Sequence, residues 1–272
     1  MTNDIIPGKE HTIDMDGLIR AIFIGSLVII VFLIIADYVF NYLDVVDEQG
    51  FRRIWNIARE QSLPTWFSSI QAQLLGVTVM SIAWVQAGEI SRVKTIIWLL
   101  IGLFFLWIGI DDFAEIHEKL GGVLVRLAAR GDNSAVTEIM LQNPSFSWHT
   151  FIAPFFALCG LGILLFLWLS FWRLRLVHFL ILGFGCWVVA QGLDFIEGLD
   201  DVDIFYEKVR AMLGIQRKYG VTHLFKVVEE VLEMLGTTLL WVGFLHYFAH
   251  VSNGHCFTLK AKAGAPSTPS QE

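Results

Sequence analysis

Acidic side chains recur at helical spacing near the ends of three apolar segments of this 272-residue sequence. In each segment two carboxylates stand three residues apart, a spacing that places both on one face of a helix. Carboxylates contributed by several helices bind hard divalent cations and form the metal centres of dimetal helix bundles. We therefore expect a cation site formed by Asp112, Glu115, Asp194, Glu197, Glu230 and Glu233.

Three histidines close to these acidic segments are candidate additional metal ligands: His117, His149 and His223. In dimetal helix bundles the repeated motif ends in histidine, whereas here its second position is glutamate each time. A donor set dominated by carboxylates favours Mg²⁺, Mn²⁺ or Ca²⁺, with iron (Fe) less favoured. His149 and His223 are expected at the same level of the membrane, which leaves haem as a minor alternative.

Two of the acidic stretches, Asp111-Asp112-x-x-Glu115 and Glu229-Glu230-x-x-Glu233, resemble a known motif. They are similar, over five residues each, to the acidic clusters with which membrane prenyltransferases hold Mg²⁺ against a diphosphate. The resemblance implies metal-assisted chemistry on a lipid or lipid-linked substrate, in which an unligated glutamate serves as general base. Six helices are fewer than that family would have, and whether this protein is an enzyme stays open.

Two hypotheses that need no metal compete with the cation site. Lys226 and Glu230 form an i, i+4 pair, and such contacts are typical of a structural network in a non-catalytic membrane subunit or assembly protein. A proton or cation transporter is the other alternative. The apolar stretch from Ile96 to Ile110 argues against a polar path through the membrane, but Gln86 and Glu89 keep that alternative open.

Long apolar helices must position these acidic residues. Hydrophobic residues make up 55% of the sequence and charged residues 17%, against about 25% charged in a soluble domain. Crossing a membrane takes about 20 predominantly apolar residues. The segments that are long enough span residues 17–43, 66–88, 94–117, 148–172, 175–198 and 222–249. The sequence thus predicts an all-α, polytopic membrane helix bundle of about six transmembrane helices.

The loops between these segments predict how the bundle lies in the membrane. The two short loops are basic, with Arg92 and Lys94 in one and Arg173 and Arg175 in the other. Because Lys and Arg in short loops favour the cytoplasmic side, both termini are expected there and the acidic segments face outward. The expected order is a cytoplasmic segment (1–16), a transmembrane domain (17–250) and a partly disordered cytoplasmic tail (251–272), in a bacterial inner (plasma) membrane.

The longer loops and the overall charge indicate the partners. Segments 51–57, 120–129 and 202–213 mix apolar and charged residues at helical spacing, which predicts short helices along the membrane surface. The net charge of −7 comes without a basic stripe and argues against nucleic acid as a partner. Membrane lipids, other membrane proteins or a second copy of the chain are the expected partners.

An internal repeat also emerges when the sequence is compared with itself at an offset of 82 residues. Trp66 then falls on Trp148, and Asp112-Phe113-x-Glu115 falls on Asp194-Phe195-x-Glu197. The match predicts two copies of one helical hairpin, about 66–118 and 148–200, in the same orientation. Parallel repeats of this kind tend to form binding sites at their interface.

Overall fold

The computed structural model describes residues 14–43, 45–116, 119–120, 122–123, 126, 153–197, 202–214 and 218–252. Within these ranges the chain forms α-helices and no β-strand. The helices are α1 (Met15–Asp37), α2 (Gln49–Trp55), α3 (Leu63–Val85), α4 (Arg92–Ala114), α5 (Ala153–Phe171), α6 (Val177–Glu197), α7 (Val202–Leu213) and α8 (Lys218–Val251). A π-helical turn, Tyr38–Tyr42, extends α1, and a 3₁₀ turn, Trp172–Leu174, follows α5.

Six of these helices are long and apolar enough to cross a membrane, namely α1, α3, α4, α5, α6 and α8. Their apolar spans run over residues 15–42, 63–85, 92–114, 157–174, 177–197 and 220–251. Each lies within a few residues of a predicted segment, except that the fourth begins later in the described part of the chain. The expected all-α architecture with six spans is therefore confirmed on length and composition.

Local sequence signals set where the helices of the first hairpin begin. Ser62 precedes α3 and its hydroxyl accepts a hydrogen bond from the Thr65 amide at 3.3 Å, while Pro64 occupies the first turn. Ser91 caps α4 in the same way through the Lys94 amide at 3.4 Å. Both serines satisfy amides that have no partner inside the helix, and proline in the first turn loses no hydrogen bond.

Helix α8 lies at the centre of the bundle. It packs against α3 and α6 most extensively and also against α1 and α7. The main core joins Leu75 of α3, Phe105 of α4 and Phe244 of α8, all fully buried. Helix α5 is peripheral, and its buried contacts with this core come from Leu167 and Phe171, close to its last turn. The core thus joins α3 to the helices α4, α6 and α8, which carry the acidic residues.

Glycines let α3 and α4 approach each other closely. A Cβ atom added at Gly76 would lie 2.7 Å from the carbonyl oxygen of Gly102, and one added at Gly109 would lie 2.6 Å from that of Ser69. The Ser69 hydroxyl donates a hydrogen bond to the Gly109 carbonyl. Small residues at membrane helix interfaces allow this backbone contact, which raises dispersion attraction in a solvent that offers no hydrophobic driving force.

The two predicted repeat halves are not packed alike. Helices α3 and α4 make extensive contact along their length, whereas α5 and α6 touch over a short stretch of the described residues. Both hairpins turn at a short basic loop, which defines the short-loop end of the bundle; the opposite end is the long-loop end. The duplication stays a prediction from sequence.

Two of the three predicted loop helices are confirmed as helices, since α2 covers Gln49–Trp55 and α7 covers Val202–Leu213. Most of segment 120–129, like both chain termini, lies outside the described residues. Tyr206 of α7 packs on Phe225 of α8 with ring centroids 5.4 Å apart. This contact holds α7 against the end of α8 that carries the acidic residues.

Candidate functional site

A buried hydrogen bond between a carboxylate and an imidazole joins the end of α1 to the beginning of α8. The Nε2 atom of His223 lies 2.8 Å from Oδ2 of Asp37, and the two residues are 7% and 3% exposed. The second carboxylate oxygen of Asp37 accepts hydrogen bonds from the Ile57 amide at 3.1 Å and from the Asn41 side chain at 3.2 Å. His223 therefore contacts Asp37 in the structure, a residue outside the predicted ligand set.

Carboxylates from α4, α6 and α8 converge near Glu233. Asp112 of α4 and Asp194 of α6 lie within electrostatic range of Glu233. The Glu233 carboxylate accepts a hydrogen bond from Nε2 of Gln191 at 3.3 Å. Glu230, one turn earlier on α8, lies within range of Glu233 and Asp112. Four of the predicted site residues thus come together across three helices.

Lys226 is the cation of this region. Its Nζ atom lies 2.7 Å from Oε1 of Glu229 and 3.9 Å from Oδ1 of Asp194. Glu229 is only 4% exposed, so the contact is a charge-assisted hydrogen bond largely shielded from solvent. Lys226 therefore links α8 to α6 and neutralises part of the local negative charge.

We define the acidic cluster as Asp112, Asp194, Glu229, Glu230 and Glu233 together with Lys226. When every group is ionised, and counting the described residues alone, five carboxylates face one ammonium group, a surplus of four negative charges. Unpaired charges inside a membrane span are unfavourable by roughly 2.5–3.5 kcal/mol each on insertion scales. Like charges held this close also repel, and bound protons or cations relieve that repulsion.

Glu115 does not share a helical face with Asp112. Helix α4 ends at Ala114, and Glu115 adopts the left-handed conformation with φ 53° and ψ 40°. Its carboxylate accepts a hydrogen bond from Nε2 of Gln61 at 3.1 Å and lies 3.6 Å from the ammonium group of Lys119. The i, i+3 spacing predicted a common face, but the helix stops before the second carboxylate.

Glu197 is the last residue of α6, and its side chain is exposed. It acts on Tyr206 of α7, which is buried and lies outside the membrane spans. Burial, followed by the negative charges of Glu197 and Glu229, raises the pKa of Tyr206 to about 12. Tyr206 is consequently a neutral hydroxyl at the edge of the acidic cluster under all ordinary conditions.

The remaining predicted ligands, His117 and His149, lie outside the described residues. Within the parts of the chain that the structure describes, no three His, Cys, Asp or Glu side chains are grouped so that they could hold a metal ion. The structure therefore gives no support to the expected divalent metal, and it leaves haem untested.

Two residues near the acidic cluster were missed by the sequence analysis. Glu60, in the loop before α3, lies within electrostatic range of Glu230. Tyr206 closes one side of the cluster from α7. No spacing pattern links either residue to the acidic segments, although the amphipathic pattern of 202–213 does predict that one face of α7 packs on the bundle.

Further polar contacts lie at the interface of α3 and α8, beyond the acidic cluster. Nε2 of Gln71 donates to the Thr238 hydroxyl at 2.9 Å, and Nε1 of Trp241 donates to the Thr78 hydroxyl at 3.0 Å. Fully buried Leu75 and Leu240 also belong to the core in this region. The interface therefore holds separate polar contacts within an apolar core rather than a continuous polar path.

No curated protein and no solved structure matches this chain. One family model does match, described as a domain of unknown function (DUF8692), over residues 21–248. The matched region runs from the first turns of α1 to the last turns of α8 and includes the acidic cluster and the Asp37–His223 pair. The chain belongs to the DUF8692 family.

Proposed function

We propose that this integral membrane protein binds exchangeable cations, protons foremost, at the acidic cluster. The observation that supports the proposal is the convergence of Asp112, Asp194 and Glu233 from three helices, with Lys226 as the cation that the described part of the chain places beside them. Helices in a membrane seldom keep such a surplus of negative charge without a counter-ion. Because the short loops are basic and therefore favour the cytoplasmic side, the long-loop end with the acidic cluster faces outward.

The contacts of Lys226 indicate which carboxylates would exchange ions. Glu229 and Asp194 already have the ammonium group as an internal counter-ion. Glu233 is held by the neutral amide of Gln191, and Glu230 lies one turn away. A neutral donor leaves the carboxylate charge uncompensated. Glu230 and Glu233 are therefore the groups we assign to exchange.

Protons suit this arrangement better than a tightly held metal ion. The described residues lack a grouping of three ligands, whereas protonation of a carboxylate requires no coordination geometry. A weakly bound hard cation such as Mg²⁺ or Ca²⁺ would use the same two carboxylates with water as its other ligands, and would then serve as the Lewis acid for chemistry on a lipid-linked substrate. That metal-assisted reaction is the less favoured form of the proposal.

A structural network is the second candidate function. The contacts that join α6 to α8 at this level include hydrogen bonds from Trp187 to Thr237 at 3.2 Å and from Gln191 to Glu233 at 3.3 Å, and Lys226 reaches Asp194. Hydrogen bonds between membrane helices contribute about 0.6 kcal/mol each on average. In a non-catalytic subunit these bonds would fix the helix ends for a partner protein.

The test compares wild type with a Glu230→Gln, Glu233→Gln variant in detergent. The matched control is Glu207→Gln, which removes an exposed carboxylate from α7 at the same end. Potentiometric titration from about pH 3 to about pH 9, a range that covers both ordinary and raised carboxylate pKa values, counts the protons bound. On the same samples, isothermal titration calorimetry with Mg²⁺ and Ca²⁺ measures weak metal binding, and elemental analysis measures any tightly bound metal.

The proposal expects the double variant to keep its Tm and to bind about two protons fewer than the wild type, with the control about one fewer. For each variant, subtracting its titration curve from that of the wild type gives the titration of the removed carboxylates, and the midpoint of this difference is the informative quantity. Exchangeable protons of the acidic cluster dissociate over a different pH range from that of an exposed glutamate. Cation exchange would be contradicted if the difference curves of both variants had equal midpoints and if titration of the wild type with Mg²⁺ or Ca²⁺ released no heat of binding. A collapse of Tm in the double variant alone would favour the structural network.

A further inference from the structure

A second polar feature lies at the opposite, short-loop end of the bundle, remote in sequence from the acidic cluster. A cavity of about 610 Å³ opens between α4 and α5 and reaches the end of α3 and the last turns of α8. Its apolar walls include Trp98 of α4 and Phe166 of α5, whose rings meet edge to face at 5.2 Å. Tyr247 of α8 completes this aromatic wall.

Two cationic side chains also line this cavity. Lys94 belongs to the first turn of α4, and Arg173 belongs to the 3₁₀ turn that follows α5. Both are exposed, and neither forms an ion pair with a carboxylate of the described residues. Two unpaired cations beside an aromatic cavity favour an anionic ligand with an apolar portion.

The rim of the cavity includes exposed apolar side chains of α5 and of the turn that follows it. Leu169 and Trp172 line it and are 74% and 62% exposed on the protein surface. Leu169 lies within the fifth helix's apolar span, and Trp172 lies at the end of that span. Tryptophan is enriched where hydrocarbon meets headgroups, so this rim is placed at that boundary. A ligand could therefore enter sideways from the bilayer, with its chains along α5.

A polar group at the cavity complements the two cations. Gln86, at the end of α3, lines the cavity together with Tyr247, and its side-chain carbonyl oxygen is buried with no hydrogen-bond partner among the described residues. A buried acceptor left without a donor is unfavourable. A small rotation of the Gln86 amide toward the cavity would let a hydroxyl group of the ligand donate to it.

We propose that this cavity binds one anionic phospholipid, with its phosphate held between Lys94 and Arg173 and its acyl chains lying along α5. Basic pockets between membrane helices on the cytoplasmic side suit such headgroups, and the charge of the short loops assigns this end to that side. The glycerol hydroxyls of phosphatidylglycerol meet the Gln86 carbonyl. The site is independent of cation exchange at the acidic cluster.

The experiment is native mass spectrometry of the full chain with dioleoyl phosphatidylglycerol or dioleoyl phosphatidylcholine. The test variant is Lys94→Gln, Arg173→Gln. The control is Arg92→Gln, Arg175→Gln, which removes the same charge from the same two loops but from residues that do not line the cavity. We expect the test variant to bind phosphatidylglycerol about tenfold more weakly, because each basic side chain contributes to attraction of an anionic headgroup. The control should bind as the wild type does.

Three outcomes of the binding experiment would overturn the proposal. Equal binding of both lipids by the wild type would show that charge does not select the ligand, and an equal loss in the control would show that only the net charge of the loops matters. Inorganic phosphate is the third arm: if phosphate displaces phosphatidylglycerol and raises Tm as much as the lipid does, the ligand is a free anion and the lipid proposal fails.

A second measurement on the wild type guards against misfolding of the test variant. Brominated acyl chains quench tryptophan fluorescence at short range, and Trp98, Trp168 and Trp172 all line the cavity. Brominated phosphatidylglycerol should quench more than brominated phosphatidylcholine at equal concentration, and the excess should disappear when unbrominated phosphatidylglycerol is added. Equal quenching by the two lipids would contradict the proposal without any variant.

Discussion

Asp37 and His223 are 186 residues apart in the chain and lie 2.8 Å apart in the structure. Asp37 also accepts the Ile57 amide, so one buried carboxylate connects the first membrane span, the last membrane span and the loop after α2. A charge buried this deeply is retained only with partners, and here histidine, asparagine and a backbone amide supply them. The pair fixes α1 against α8 directly beside the acidic cluster.

Removing this carboxylate should destabilise the protein strongly. Asp37→Ala leaves His223 and the Ile57 amide buried without their partner, and breaking a buried pair in this way lowers the free energy of unfolding by about 3–5 kcal/mol. Thermal unfolding in detergent measures the effect, and limited proteolysis should show earlier cleavage near Ile57. Asp16→Ala, at an exposed position of the same helix, is the control and should leave both readouts unchanged.

The contact between α3 and α4 should be sensitive to a single methyl group. Gly76→Ala places a Cβ atom 2.7 Å from the Gly102 carbonyl oxygen, a backbone atom that cannot move alone, so the helices must separate. Such overpacking lowers stability by about 1–3 kcal/mol. Gly25→Ala on α1 meets nothing within 4 Å and should leave Tm unchanged or slightly raised. Equal Tm changes in the two variants would contradict the close approach.

The conformation of Glu115 predicts an inverted order of stabilities. Its φ of 53° is left-handed, a region in which glycine has no Cβ penalty while other residues are strained by roughly 1–2 kcal/mol. Glu115→Gly and Glu115→Ala both lose the Gln61 hydrogen bond, yet the glycine variant should be the more stable by about 1 kcal/mol. At Glu207, inside α7, the same two substitutions should rank in the opposite order. The Tm values of the four variants, measured by thermal unfolding, give the two orders of stability, and the same order at both positions would contradict the left-handed conformation of Glu115.

Tyr206 predicts a loss of stability at high pH. Burial and nearby carboxylates raise its pKa to about 12, whereas an unfolded chain has a tyrosine pKa of about 10. Below pH 10 both states are neutral; above it the unfolded state loses its proton first, so stability falls as pH rises from about 10 to about 12. Tyr206→Phe should flatten that decline.

The check on Tyr206 is spectroscopic. The difference between the tyrosinate absorbance titrations of wild type and Tyr206→Phe should show a midpoint near pH 12. Circular dichroism at each pH confirms that the chain is still folded when the midpoint is read. A midpoint near pH 10 in folded protein would contradict the burial of the hydroxyl beside Glu197 and Glu229.

The six spans could be predicted from the sequence because length and apolarity are local properties of a segment, and these two properties decide whether a helix can cross the hydrocarbon layer. Four of the carboxylates that gather at the cluster were also predicted, since Asp112, Asp194, Glu230 and Glu233 lie on regular helices at one end of the bundle. Periodicity on a straight helix is a reliable guide to which side chains share a face.

The details that the sequence did not predict depend on contacts between distant segments. The spacing of Asp112 and Glu115 assumed that α4 continues, but its end is fixed by a left-handed residue whose side chain reaches Gln61 in another loop. His223 was assigned to the acidic residues of its own helix, whereas its partner is Asp37 on the first span. The side chains of Glu60 and Tyr206 reach the cluster from segments without any acidic repeat.

The central position of α8 has a consequence for biosynthesis. This helix carries most of the cluster's charges and is the last of the six spans to leave the ribosome. Its polar face is therefore synthesised after Asp37, Asp112 and Asp194, the residues of α1, α4 and α6 with which it interacts in the folded chain. The polar contacts that join α8 to these three helices can form only when the last helix of the bundle has been synthesised.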